Sequence, residues 1–80
     1  MTQLNIRVPN DIRPLYANFA VLDTTRDEVI IAFCCAEGGV ERPEAQLVQK
    51  IVMTPANLKN LHASIGELLE KHQMRHGPLG

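Results

Sequence analysis

The end of the chain most constrains its fold, because an apolar strand there leads directly into one long capped helix. The Thr54 hydroxyl can accept a hydrogen bond from a free first-turn N–H, and Pro55 suits the first helical position. Gly77 and Pro78 supply the stop, since glycine adopts a left-handed conformation readily and proline cannot continue a helix. The sequence therefore predicts one helix over residues 55–76.

The region before this helix has the pattern of several short strands. Leu4, Ile6 and Val8 alternate with polar residues, which is the period-two pattern of a half-buried strand. A later polar segment contains Gly38-Gly39, which predicts a turn. Short loops between consecutive strands favour an antiparallel meander. The predicted strands cover residues of about 3–8, 16–22, 28–35 and 44–53, and residues 1–80 are expected to form a single domain.

The third predicted strand is apolar on both faces, and this decides how many layers the fold needs. Val29 and Ile31 point to one side of that strand, whereas Ile30 and Ala32 point to the other. One helix can cover only one face of a sheet. The predicted fold class is therefore α+β, a four-stranded antiparallel meander followed by one C-terminal helix packed on one sheet face. A second copy is expected to cover the other face, either by packing sheet against sheet or by a swap in which each helix covers the sheet of its partner.

The residues expected to form the oligomer or interaction surface come from the third strand, the fourth strand and the helix. Strict alternation in the fourth strand places Leu47 and Ile51 on one face and Val48 and Val52 on the other. The expected partner is the chain itself, as a homodimer or a larger even-numbered oligomer, and another protein or an unfolded peptide is an open alternative. The candidate surface consists of Ile30, Ala32, Cys34, Val48, Val52, Leu58, Leu61 and Ile65.

Composition and charge argue against several classes of partner. The formal net charge of −1 provides no basic field for nucleic acid, so a nucleic-acid-associated regulatory module is only the alternative function. The N-terminal residues lack the apolar region of a signal peptide, and no apolar run reaches the ~20 residues of a membrane helix. We therefore expect a cytoplasmic protein that does not bind membranes and for which nucleic acid is a disfavoured partner.

The residues that could carry chemistry do not form a convincing set. Cys34 and Cys35 are neighbours in a predicted strand, so their sulfurs should point to opposite faces. His72 and His76 have a spacing that can bind one metal ion, but no third ligand is expected nearby. A metal-responsive role for this pair is the third hypothesis. We expect no catalytic, cofactor-binding or metal-binding residues, and no enzymatic activity.

Several short motifs, in a fixed order, resemble a known family. Tyr16-Ala17-Asn18 begins the second predicted strand, Met53-Thr54-Pro55 begins the helix, and Gly77-Pro78-Leu79 follows it. In this order and spacing the chain resembles the domain of unknown function (DUF) 3467 family of bacteria and archaea. That family has no assigned activity, so the resemblance implies organisation only. At the level of architecture, four antiparallel strands and a long helix are similar to the SecB export chaperones. This likeness implies a holdase that binds unfolded chains.

Overall fold

The computed structural model describes residues 4–37 and 44–80, and within them the chain is α+β. Three strands form one antiparallel sheet in the order β1-β2-β3, and one helix follows the last strand. The fold class is therefore confirmed in outline, with three strands where the sequence predicts four. The predicted turn at Gly38-Gly39 lies outside the described residues. The elements are β1 Phe19–Thr24, β2 Val29–Glu37, β3 Glu44–Met53 and α1 Pro55–His76.

The missing strand is the first one, predicted over residues 3–8. Residues 4–8 belong to no sheet, and the side chains of Leu4, Ile6 and Val8 remain 82 %, 77 % and 71 % exposed. Alternation gives a segment the character of a strand, but a strand also needs a neighbour to satisfy its backbone groups. This segment has no such neighbour among the described residues of its own chain. We call residues 4–17 the N-terminal arm.

The second predicted strand also begins later than expected, at Phe19 instead of residue 16. Its other end runs further, because Thr24 still pairs with Val29 across the hairpin. The connecting turn is closed by a hydrogen bond of 2.9 Å from the Thr25 N–H to the Glu28 carbonyl oxygen. The Thr24 hydroxyl donates to the same carbonyl at 3.2 Å. These bonds hold the hairpin closed to its tip, which lengthens β1 beyond the predicted strand.

A β-bulge interrupts the pairing between β2 and β3. Phe33 pairs with Gln49 and Cys34 pairs with Leu47, so Val48 is an extra residue in β3. Because one extra residue shifts the side-chain alternation, Leu47 shares a face with Cys34 and not with Ile51. The face predicted for Leu47 is therefore wrong, and so is the shared face predicted for Val48 and Val52.

The helix begins and ends at residues that the sequence marks for these positions. The Thr54 hydroxyl accepts a hydrogen bond of 3.2 Å from the Asn57 N–H, and Pro55 is the first helical residue. At the other end Gly77 has φ of 87°, and its N–H donates to the Gln73 carbonyl oxygen at 2.8 Å. The C-terminal helix is thus confirmed. Among the described residues, no helix has the length and apolar character needed to span a membrane.

The described residues bury very little of their apolar surface. Only Val29, Ile31 and Cys34 are buried, with exposed fractions of 6 %, 5 % and 7 %. The radius of gyration is 16.0 Å, against about 12 Å for a compact domain of this length. The accessible surface is 7935 Å², whereas a folded monomer of 8.9 kDa has about 4,800 Å². The single chain therefore leaves exposed a large area that folded monomers of this mass normally bury.

Candidate interaction surfaces

One face of the sheet has no helix over it, and we call it the open face. Residues paired across an antiparallel sheet point to the same side, so the register defines its members. Cys34 lies at the centre of this face between the side chains of its partners Phe19 and Leu47, which accounts for its burial. The apolar side chains of the open face are Phe19, Val21, Ile30, Ala32, Cys34, Ala36, Ala45, Leu47 and Val52.

The other face, which we call the helix-side face, forms a groove with the first half of α1. The groove has a volume of about 570 Å³. Lys59 and His62 are the polar residues that line it, and its remaining lining is apolar. Within the described chain none of the 22 residues of the helix is buried. The apolar lining consists of Leu22, Ile31, Phe33, Pro55, Leu58, Leu61 and Ile65.

The N-terminal arm forms a second groove on the helix-side face, further along the sheet. Arg13, Leu15 and Ala17 line it together with side chains of β2 and β3. Its volume is about 430 Å³. The arm therefore crosses from β1 towards β3 on the side that already carries the helix. The strand residues in this groove are Phe33, Val48, Gln49 and Ile51.

The structure divides the candidate surface predicted from the sequence into two parts. Ile30, Ala32, Cys34 and Val52 lie together on the open face, as their register positions require. The other four residues lie on the opposite side of the sheet. Leu58, Leu61 and Ile65 line the helix groove, and Val48 lines the arm groove.

Sequence reasoning missed the structural role of Asn18. Its side-chain Oδ1 accepts from the Ala36 N–H at 2.7 Å, and its Nδ2 donates to the Ala36 carbonyl oxygen at 3.1 Å. Its backbone N–H donates to the Cys34 carbonyl oxygen at 3.0 Å. The amide thus continues the pairing with β2 for one step beyond β1 and fixes where the arm leaves the sheet. Asparagine is disfavoured in strands, so an asparagine directly before Phe19 could have indicated a side-chain hydrogen bond at the start of β1.

Among the described residues, the cysteine pair and the histidine pair considered for metal binding have no third metal ligand beside them. Cys34 and Cys35 are both free thiols. The rings of His72 and His76 lie against each other on the last turns of α1, with their centroids 4.7 Å apart. Within residues 4–37 and 44–80, no group of three or more His, Cys, Asp or Glu side chains is arranged to hold a metal ion.

Comparison with known proteins gives a family but no characterised relative. Neither the curated proteins nor the solved structures contain a match to this chain, so the similarity to SecB has no support from a structural neighbour. The family model described as protein of unknown function (DUF3467) matches residues 1–80, which is the whole sequence. This agrees with the resemblance carried by the motifs around Asn18, Thr54 and Gly77. The chain belongs to the DUF3467 family.

Proposed function

We propose that the chain is a non-catalytic protein-interaction module that works as a homo-oligomer, with a second copy covering its open face. The observation that carries this proposal is the large accessible surface of the single chain. Its accessible surface exceeds that of a typical monomer of the same mass by about 3,100 Å². An obligate homodimer buries about 2,000–5,000 Å² in total, or roughly half of that per subunit. One isologous interface can therefore account for about a third to four-fifths of the excess.

The open face has the composition of a dimer interface core. Its centre is apolar, and its charged residues, Asp23 and Lys50, lie on the two edge strands. Apolar cores with charges at the periphery are typical of stable interfaces. Two such faces can pack about 10 Å apart, as the sheets of a β-sandwich do. The contact would be symmetric, because the same patch is used by both copies.

The character of the grooves supports a binding role over a catalytic one. Within the described residues no polar or charged side chain is buried. General acid–base and nucleophilic catalysis depend on polar groups that converge in a desolvated pocket. The helix groove instead presents Leu58, Leu61 and Ile65 opposite the sheet. Such a lining suits apolar side chains of another polypeptide.

The test is to place one charge on the open face. Val21 and Val52 are each 56 % exposed in the single chain, so aspartate at either position costs an isolated subunit little. In the oligomer the same carboxylate would lose its water among apolar side chains, a cost that an ion pair with Lys50 of the open face offsets only in part. Val21→Asp and Val52→Asp should each raise the dissociation constant at least tenfold, measured by size-exclusion chromatography with light scattering. Met74→Asp, at a helix position that is 87 % exposed, is the control and should leave the mass unchanged.

Two results would contradict the proposal. The first is a folded monomer of 8.9 kDa for the unmodified chain at micromolar concentration. The second is an oligomer whose stability is the same in Val21→Asp and in Met74→Asp. Retention of the unmodified chain on heparin at low salt, with binding that weakens steeply as salt rises, would favour the nucleic-acid alternative instead.

A second candidate function is the binding of apolar segments of unfolded chains in the helix groove. The groove of about 570 Å³ supports it, because its lining is apolar except at Lys59 and His62. The chain should then slow the aggregation of reduced insulin. Ile65→Asp, inside the groove, should abolish that effect, whereas Val21→Asp, on the open face, should preserve it. Equal protection by both variants, or none by the unmodified chain, would rule out the groove as the binding site.

A further inference from the structure

We infer that residues 4–8 of one copy form a fourth strand along the outer edge of β1 in a second copy. This inference rests on the proposed homo-oligomer and names the segment that would complete its sheet. The segment alternates apolar and polar residues, yet it pairs with nothing among the described residues of its own chain. Leu4, Ile6 and Val8 expose most of their surface to solvent. A strand-forming segment without a neighbour and a sheet edge without a neighbour are complementary.

The sheet has two outer edges, and they differ in how well they can accept another strand. β3 carries a bulge at Val48 and a lysine at position 50, which are two features that protect edges from pairing. β1 is regular from Phe19 to Thr24 and contains neither lysine nor proline. Its six residues also match a five-residue segment in length. The accepting edge is therefore β1.

The path of the arm favours pairing with a second copy over pairing within one chain. Asn18 fixes the end of the arm to Ala36 of β2. From there Arg13 and Leu15 lie along the helix-side face with Gln49 of β3. The arm thus leaves the sheet on the β3 side, across the full width of the sheet from the outer edge of β1. To reach that edge in its own chain, the arm would have to cross the sheet a second time.

A dimer in which the two open faces pack against each other about a two-fold axis brings the N-terminal arm of one copy to the β1 edge of the other. If the two-fold axis runs along the strands, β3 of one copy lies over β1 of its partner. The two sheets are then about 10 Å apart, a distance that three or four extended residues can span at about 3.3 Å each. A turn at residues 9–12, closed by the Ile12 N–H and the Pro9 carbonyl oxygen at 3.3 Å, keeps these residues compact in the single chain. This turn therefore opens on assembly, so that residues 9–12 can extend across the gap between the two sheets.

The side chains of the segment also fit this edge. If Leu4, Ile6 and Val8 extend the helix-side face, they continue the layer that contains Leu22 of β1. Arg7 then lies on the other face, where Asp23 supplies the only carboxylate of β1. The pairing therefore joins apolar residues on one face and opposite charges on the other.

Amide hydrogen exchange of the full chain, followed residue by residue by NMR at several protein concentrations, tests the inference. Protection should appear at residues 4–8 and along β1 as the oligomer forms. The N–H groups of neighbouring strand residues point to opposite edges, so either Ile6 or Arg7 donates to β1. Ile6→Pro and Arg7→Pro each remove one of these N–H groups, and one of the two variants should raise the dissociation constant at least tenfold. Asn10→Pro is the matched control, because position 10 is the second residue of the turn, where proline is favoured.

The outcomes separate this inference from the proposed function. An oligomer in which residues 4–8 exchange freely, and in which Ile6→Pro, Arg7→Pro and Asn10→Pro all assemble equally well, would overturn the strand addition and leave the open-face interface intact. Protection of residues 4–8 that does not change with concentration would show pairing within one chain and would also overturn it. A chain that stays monomeric at every concentration would overturn both.

Discussion

The side chain of Asn18 should be one of the largest contributors to stability among the exposed residues. It makes two hydrogen bonds with Ala36, of 2.7 Å to the N–H and 3.1 Å to the carbonyl oxygen. Asn18→Ala removes both bonds and leaves the first backbone groups beyond β1 unpaired. The rest of the hairpin stays unchanged, because the pairing from Phe19 to Thr24 uses backbone groups only.

The stability lost in Asn18→Ala follows from the number and the exposure of these two hydrogen bonds. Each intramolecular hydrogen bond contributes about 0.5–1.5 kcal/mol net. Both bonds with Ala36 are exposed, so water replaces part of what is lost. A loss of about 1.5 kcal/mol is therefore expected, which corresponds to a fall in Tm of roughly 6–12 °C for a domain of this size. Asn18→Asp should lose at least as much stability as Asn18→Ala at neutral pH, because a carboxylate oxygen would face the Ala36 carbonyl oxygen.

Thermal unfolding followed by circular dichroism, at one fixed protein concentration, measures this effect. Asn10→Ala is the control, since the exposed side chain of Asn10 makes no hydrogen bond within the described chain and should change Tm by less than about 1 °C. An Asn18→Ala variant that melts at the temperature of the unmodified chain would refute the reasoning. It would mean that the amide does not anchor the arm to β2.

Three further predictions concern the helix, and urea unfolding tests each of them. Thr54→Ala should lower the free energy of unfolding by about 1 kcal/mol, because the Thr54 hydroxyl accepts a hydrogen bond from the Asn57 N–H at 3.2 Å. Thr54→Ser should retain most of that free energy, and equal losses in the two variants would contradict a capping role. Gly66→Ala should raise the free energy of unfolding by about 1 kcal/mol, because alanine favours the helix and its added Cβ meets no atom within 4 Å. A lower free energy of unfolding would contradict that open space. Gly77→Ala should lower the free energy of unfolding by about 1 kcal/mol, because φ is +87° at Gly77 and a residue with a Cβ disfavours that value. An unchanged urea midpoint would argue against that conformation.

The helix could be predicted from the sequence because its limits depend on local chemistry. The Thr54 cap, the Pro55 start and the Gly77 stop act through atoms within a few residues of each other. The same holds for the β1–β2 hairpin, whose polar turn lies between two apolar runs. Such features need no knowledge of the rest of the fold.

The remaining features depend on distant partners, and the sequence does not encode them locally. The segment over 4–8 has the pattern of a strand, but no neighbouring strand of this chain pairs with it. The bulge at Val48 is defined only by the register with β2, and it moves Leu47 to the open face. The bulge also separates two members of the candidate surface, because Val48 lies on the helix-side face whereas Val52 lies on the open face. The surplus of apolar surface, in contrast, could be inferred from the two apolar faces of β2.

Sedimentation equilibrium of the unmodified chain, over low to high micromolar concentrations, tests the central claim most directly. The open face and the excess of about 3,100 Å² of accessible surface predict an even multiple of 8.9 kDa at the upper concentrations. Circular dichroism on the same samples reports whether the helix and the sheet are present. A folded species of 8.9 kDa at every concentration would contradict the claim that a second copy completes this fold.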